Sequence, residues 1–351
     1  MTHIPFDGVR LDGERVMLVG GAGFIGYHLS LLLRAKGAEV MVVDPLQINN
    51  IVKIVSDPAI DPIRRQLYTN FLIDRFEDMR AAGVTFATVD ARSMTEFTAA
   101  YNDFLPTKAV HLSAISSALE ANKVPGLAYD LQITTLRNLL ELCRLKESVC
   151  NQVAFMSSST IYGDFEGDEV DETVRPQPKG VYANGKYIGE RMVREAKTLT
   201  GLDYTIIRPS ALYGVRCISG RVSQKFVENA LFGKPLLLEG GGSGRLDFTH
   251  IDDLVEGITR GLALEGGRSR TFNITFGNAR TIADLATIIK EYIPEVILEE
   301  RPAAPYKPKR GTLRIDRAAE FLGFVPQKPL DVGYREYVAW YLDQWQRIKR
   351  A

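Results

Sequence analysis

The sequence carries no net charge: 43 lysines and arginines balance 43 aspartates and glutamates. That excludes the strong positive field that bulk binding to nucleic acid or to an anionic membrane requires, and neither partner is expected. A local basic pocket for a diphosphate stays compatible with the balance. Cysteine is scarce. Cys143, Cys150 and Cys217 are the three present, and they form neither the framework of a secreted disulfide protein nor a zinc-ligand spacing. The four histidines are scattered, so no metal is expected; His111 and His250 read as ordinary hydrogen-bonded residues. No apolar run approaches the ~20 residues needed to cross a bilayer. The opening MTHIPFDGVRLDGER lacks the charged-then-apolar order of a secretory signal. A soluble, cytoplasmic protein is the expectation. Internal repeats, heptads and low-complexity tails are missing too, which leaves an ordinary globular composition.

What is present is alternation. Arg15–Gly20 is a short apolar run entering a glycine turn, Phe24–Lys36 reads as a helix, and Glu39–Asp44 as a second buried strand. Val84–Asp90, Ala109–Ala114 and Gln152–Ser157 continue the series, with Leu127–Leu145 and Gly185–Leu199 as intervening helices. Continuous apolar strands separated by helices indicate a parallel sheet covered on both faces. The predicted fold class is α/β: a doubly wound parallel sheet (Rossmann) with a smaller mixed α/β domain on the C-terminal side. Residues 46–82 are long for a loop and periodic enough for one or two helices, a packing element before a lid. Past about residue 210 the rhythm loosens into a glycine turn at Gly240–Gly244, a proline-rich connector at Arg301–Arg310, and helices near Ile282–Tyr292 and Tyr334–Ile348.

The first glycine cluster, Gly20-Gly21-Ala22-Gly23-Phe24-Ile25-Gly26, has G-x-x-G-x-x-G spacing. Glycine is needed where a strand turns sharply into a helix and where backbone approaches a pyrophosphate with no Cβ between. Three glycines alone are weak evidence; following a strand and opening a helix, they meet the context the motif demands. Asp44 ends the second strand, near the usual offset for the carboxylate that binds adenosine ribose hydroxyls. A carboxylate there repels a 2′-phosphate, so NAD is favoured over NADP. Asp90, closing the third strand, is a weaker candidate for the adenine end. The expected division is an NAD-binding Rossmann domain over 1–212, to which 246–275 return, and a substrate domain from 213–245 and 276–351.

Tyr182-Ala183-Asn184-Gly185-Lys186 fits Y-x-x-x-K. With 14 tyrosines in the chain, about one such match is expected by chance. Its neighbourhood gives it weight. Residues four apart share a helix face, so Lys186 can sit beneath Tyr182. A nearby ammonium lowers a phenol from its usual ~10 toward neutrality and makes it a usable base. Upstream, the run Phe155–Gly163 ends a strand in four hydroxyl residues, Ser157 to Thr160. Doubly wound folds bind ligands at such strand ends, although any single serine there also serves turn formation.

With these segments in view, the sequence resembles the extended short-chain dehydrogenase/reductases, in particular their nucleotide-sugar epimerase and dehydratase branch. The resemblance runs through GGAGFIG, VVD, HLSA, NLLELCR, SSSTIYG, YANGKYIGE, RPSALYG, DFTHIDDLVEGI and LGFVP, in order over most of the chain. It implies that Gly20, Gly23, Phe24, Ile25, Gly26, Asp44 and Asp90 hold NAD, joined by Tyr182 and Lys186 at the nicotinamide ribose. Tyr182 is then the base, Ser158 hydrogen-bonds the sugar 4-hydroxyl, and Thr160 supplies a secondary hydroxyl. Ser116, Ser158, Ser159 and Arg245 fall to the substrate, a nucleotide-diphosphate sugar. The resemblance also implies a homodimer built through the helices near Leu127–Leu145 and Gly185–Leu199.

Departures narrow the chemistry and blur the substrate. Dehydratases of this branch resemble T-D-E where this chain has Ser158-Ser159-Thr160, and uronate decarboxylases typically keep a glutamate there. Lacking that acid, the chain is expected to be a 4-epimerase working through a transient 4-keto sugar. A dehydratase, decarboxylase or 4-oxidoreductase on the same scaffold, and a catalytically inactive NAD-binding regulator, are the alternatives. Ala211 stands where many members have asparagine, Leu246 where an arginine usually binds the diphosphate, with Arg245 one position away. Gln132 replaces a common asparagine and Gly185 a common serine. The gate for a sugar N-acetyl group falls near Leu313, in a shortened connector that does not identify the sugar.

Overall fold

The apolar runs become the strands of one parallel sheet. The computed structural model describes residues 6–47, 50–303 and 308–350; residues 1–5 of the opening segment and 304–307 of the connector lie outside the described residues. The sheet comprises β1 (Arg15–Val19), β2 (Glu39–Val43), β3 (Thr85–Ala87), β4 (Lys108–His111), β5 (Gln152–Met156), β6 (Asp203–Arg208) and β7 (Arg270–Asn273). Their spatial order is β7-β6-β5-β4-β1-β2-β3. The strands read as unbroken apolar runs because both faces are covered. From β1, Val16 and Leu18 join a core with Leu29 and Ile258, while Met17 and Val19 join Phe97, Leu139 and Leu142 on the opposite face. This is the doubly wound Rossmann architecture. β3 is shorter than the expected Val84–Asp90, as befits a strand at the sheet's edge.

The order reverses where β1 lies between β2 and β4. Ligands of such sheets bind at that switch point, outside the carboxyl ends of the strands. The helix expected over Leu127–Leu145 is Pro125–Tyr129 and Thr135–Cys143 joined by a widened π turn at Asp130–Thr134. Thr135 returns its hydroxyl to the Leu131 carbonyl at 2.7 Å inside that turn, a bond that competes with regular helix. The helix expected from Gly185 begins at Gly180 and ends at Thr200, closed by Gly201 in the left-handed conformation (φ +80°). Tyr182 therefore stands in its first turn.

Residues 46–82 supply two helices, Ile51–Ser56 and Pro62–Ala81. The longer inserts Leu67 and Phe71 into a second apolar core with Phe226, Ile289, Tyr337 and Tyr341. The Phe71 and Tyr341 rings meet edge-to-face at 5.8 Å. The insertion thus braces the C-terminal helix Leu330–Arg350 against the nucleotide half. Among the described residues no helix is long and apolar enough to cross a membrane.

Candidate active site

β1 turns into the helix Phe24–Ala35 through the glycine cluster. Gly20 has φ +79°, and a Cβ on it would lie 2.7 Å from the Ser113 backbone; one on Gly26 would lie 2.1 Å from the Gly21 carbonyl. Neither neighbour can retreat, so both positions require glycine. Gly23 flanks the helix N-terminus, where no side chain caps the first amides; they remain available to an anion. Just past β2, Asp44 accepts from the amides of Ala22 (3.1 Å) and Leu46 (2.8 Å). Burial pushes its carboxyl up, against the pull of those two amides. Asp90 pairs with Arg92 at 2.5 Å, which lowers the Asp90 carboxyl. Arg92 also reaches the Gln47 amide oxygen.

These groups line one cleft, which touches Gly20, Gly23, Phe24, Ile25, Gly26, Asp44, Asp90 and Ser116. A turn with no room for Cβ atoms, a bare helix N-terminus and a carboxylate at the next strand's end fit a dinucleotide diphosphate and its ribose.

The second half of the site comes from β5 and the helix Gly180–Thr200. Ser158 leaves β5 and caps the short turn Ser159–Tyr162, accepting from the Thr160 amide (3.2 Å) and hydroxyl (3.0 Å). The Ser158 hydroxyl lies near enough to the Tyr182 phenol to favour its ionised form. Lys186, one turn below Tyr182, has its Nζ 5.8 Å from the Tyr182 ring centre and 2.7 Å from the Met156 carbonyl, to which it donates. Burial holds its amine down at about 7. Burial raises the Tyr182 phenol, while the charge of Arg221 and the nearby Ser158 hydroxyl pull it back. A phenol, an amine and a hydroxyl thus meet at the end of β5, a grouping suited to moving a proton from a substrate alcohol.

Not every site residue read from the sequence lies together. Ser159 is buried, with its amide bonded to the Pro209 carbonyl. Arg245 donates to the Ala279 carbonyl at 3.2 Å. It pairs with Thr281 in a two-residue antiparallel ladder where Leu246 pairs with Arg280, so the two residues face opposite sides. A one-residue shift does not reproduce a side chain at 246. Two other departures meet in space: a Cβ on Gly185 would lie 1.7 Å from the Gln132 amide oxygen, so the longer amide occupies room that glycine leaves. Ala211 has φ +34°, a left-handed region that asparagine tolerates better than alanine.

Two groups escaped the sequence reading. Arg221 lines the cleft and bears on Tyr182 electrostatically; no spacing ties it to the tyrosine. Glu190 is wholly buried four residues after Lys186, and the helical period that joined Tyr182 to Lys186 extends to it.

Comparison with known proteins agrees with this geometry. The sequence pattern of the NAD dependent epimerase/dehydratase family matches residues 16–275. UDP-glucuronate 4-epimerase 1 of Arabidopsis thaliana is 26% identical, over 96% of this chain and 78% of its own length. UDP-glucuronic acid decarboxylase 2 of the same plant is 29% identical, over 93% of this chain and 68% of its own. Among solved structures, the UDP-glucose 4-epimerase of Thermus thermophilus, in complex with NAD, superposes with a TM-score of 0.76 at 26% identity, covering 95% of this chain and 99% of that one.

Proposed function

The chain belongs to the NAD-dependent epimerase/dehydratase family, and from that premise we propose that it is a nucleotide-sugar 4-epimerase. The observation that carries this reading is the segment Ser158-Ser159-Thr160, which holds hydroxyls and no carboxylate, with Ser158 near Tyr182 and Thr160 bonded to Ser158. Elimination of water needs an acid near the departing hydroxyl, and alcohols are far too weak to serve. Epimerisation asks only for a base, a hydride carrier and room for the ketose to turn.

The glycine turn at Gly20–Gly26 and Asp44 would hold NAD, which would supply the hydride acceptor, and later the hydride donor, for C4 of the sugar. The chain's own residues do the rest. Tyr182 accepts the 4-hydroxyl proton and later restores it, Ser158 holds the oxygen in line, and Lys186 places a cation under the phenol. Asp44 chelates the adenosine ribose hydroxyls. Because the curated relatives act on UDP-glucuronate, that compound heads the substrates to try, and Arg221 offers a cation suited to a uronate carboxylate. Oxidative decarboxylation of the same substrate is the second reading, favoured by the decarboxylase relative. Incubation with a panel of UDP-, dTDP-, GDP- and CDP-sugars, followed by NMR of the products, tests the proposal. A C4 epimer supports it, and a product lighter by carbon dioxide or water replaces it.

Two further outcomes belong to this reading. The enzyme is expected to prefer NAD to NADP, and Asp44→Asn to weaken NAD binding about tenfold or more, since charge-assisted hydrogen bonds are lost. Titration of both dinucleotides by calorimetry checks this, and a wild-type preference for NADP overturns the role given to Asp44. The chain is also expected to form a homodimer through the helices at 125–143 and 180–200, whose surfaces expose Leu127, Ile188 and Leu199. Light scattering that finds a monomer at micromolar concentration contradicts this.

A further inference from the structure

Beneath the hydroxyl segment lies an ion pair that the mechanism above does not use. Glu190 is fully buried and Arg208, the last residue of β6, is 2% exposed. Arg208 donates Nε to one Glu190 oxygen and a terminal nitrogen to the other, both at 2.8 Å. Such a bidentate pair in a dry interior is costly to desolvate and is weak evidence of a contribution to stability. What it holds is more informative. The Ser157 hydroxyl donates to the Glu190 oxygen that accepts Arg208 Nε, at 2.6 Å. The remaining terminal nitrogen of Arg208 donates to the Tyr162 hydroxyl at 2.9 Å, and Tyr162 passes its own proton to Asn273 at 2.8 Å.

Ser157 and Tyr162 are the two ends of the segment that carries Ser158 and Thr160. One carboxylate therefore ties both ends, directly at Ser157 and through Arg208 at Tyr162. Glu190 also shares its helix with Tyr182, two turns away on the same face. Between them Lys186 bonds the Met156 carbonyl. Consecutive turns of the helix thus grip consecutive residues, 156 and 157, just before Ser158.

We propose that Glu190, through its pair with Arg208, is a positioning residue that fixes the segment from Ser157 to Tyr162, and with it Ser158, against the helix that carries Tyr182. The proposal rests on Tyr182 as the base. A misplacement of about 1 Å by a residue outside the chemistry costs on the order of 10²-fold in rate. Glu190→Gln keeps the shape and removes the charge. It is expected to lower kcat about 10- to 100-fold, with KM for the sugar nucleotide and Kd for NAD within about threefold of wild type. Because a buried Arg208 left alone also destabilises the fold, the double variant Glu190→Met/Arg208→Met is the control. It removes both charges at similar volume and is expected to fold about as stably as wild type. Its kcat is expected to stay low, because Ser157 and Tyr162 are both released.

Titration of the Tyr182 phenol in the NAD-loaded protein, with Tyr182→Phe as the blank, needs no sugar. Nearness of the Ser158 hydroxyl favours the phenolate, so both variants are expected to titrate at higher pH than wild type. Recovery of kcat in the double variant means that Glu190 only neutralises Arg208, and it overturns the proposal. An unmoved Tyr182 titration overturns it as well. A Tyr182→Phe enzyme that still turns over contradicts the base assignment, whatever Glu190 does.

Discussion

Tyr182→Phe is expected to lower turnover about 10²–10⁴-fold while binding of NAD and of the sugar nucleotide persists. The change removes one oxygen and keeps the ring that packs above Lys186. The lost oxygen is the atom that the Arg221 charge and the nearby Ser158 hydroxyl favour as a phenolate. Tyr182 is half-buried in the first turn of its helix, so the variant leaves no large cavity and its stability is expected to stay near wild type. Steady-state kinetics on the substrate found by the panel checks the prediction. Activity within a few-fold of wild type means that another base operates.

Lys186→Met is expected to act in two opposed ways. Turnover falls on the order of 10²-fold and NAD binds more weakly, since one ammonium serves both the phenol and the nicotinamide ribose. Stability of the cofactor-free protein moves the other way. Burial holds the folded-state amine at about 7, against ~10.4 in an unfolded chain. Between those values the unfolded state binds the extra proton, so wild-type stability rises with pH across that window. Below about pH 7 both states are protonated and the fold bears the whole cost of the buried charge. Methionine removes that cost. The variant is expected to melt above wild type at about pH 6, with the gap closing toward pH 10. Calorimetry of NAD-free protein across that range reads both, and a gap that widens with pH contradicts the buried-amine account.

How much of this was readable in the sequence follows from where each group's partners lie. The glycine turn, the carboxylate at the end of β2, the hydroxyl run after β5 and the Y-x-x-x-K helix are contiguous segments whose period or punctuation states their geometry. Their strand and helix placement came out to within a few residues. The π turn at 130–134 did not, because Thr135 bonding back to Leu131 leaves the apolar periodicity unchanged. Arg208 and Glu190 are eighteen residues apart and on different elements, and nothing local joins them. Arg310 is similar: it donates to the carbonyls of Ser159 and Gly163 across 151 and 147 residues of chain, where the sequence showed only a basic, proline-rich connector. Arg245 illustrates the opposite failure. Proximity in sequence to Leu246 suggested an equivalent side chain, and strand alternation sends it to the other face.

In the proposed reaction the 4-keto sugar takes its hydride back at the same carbon, with no bond broken elsewhere in the sugar. The direct measurement is a reaction in deuterium oxide with the substrate that the panel identifies, followed by mass spectrometry and NMR of the product. The expected product has the mass of its substrate, is inverted at C4, carries no deuterium at C5, and forms without net consumption of NAD, because the segment Ser158-Ser159-Thr160 offers hydroxyls in place of the acid that elimination needs. Loss of water with deuterium at C5, loss of carbon dioxide, or stoichiometric reduction of NAD would contradict it.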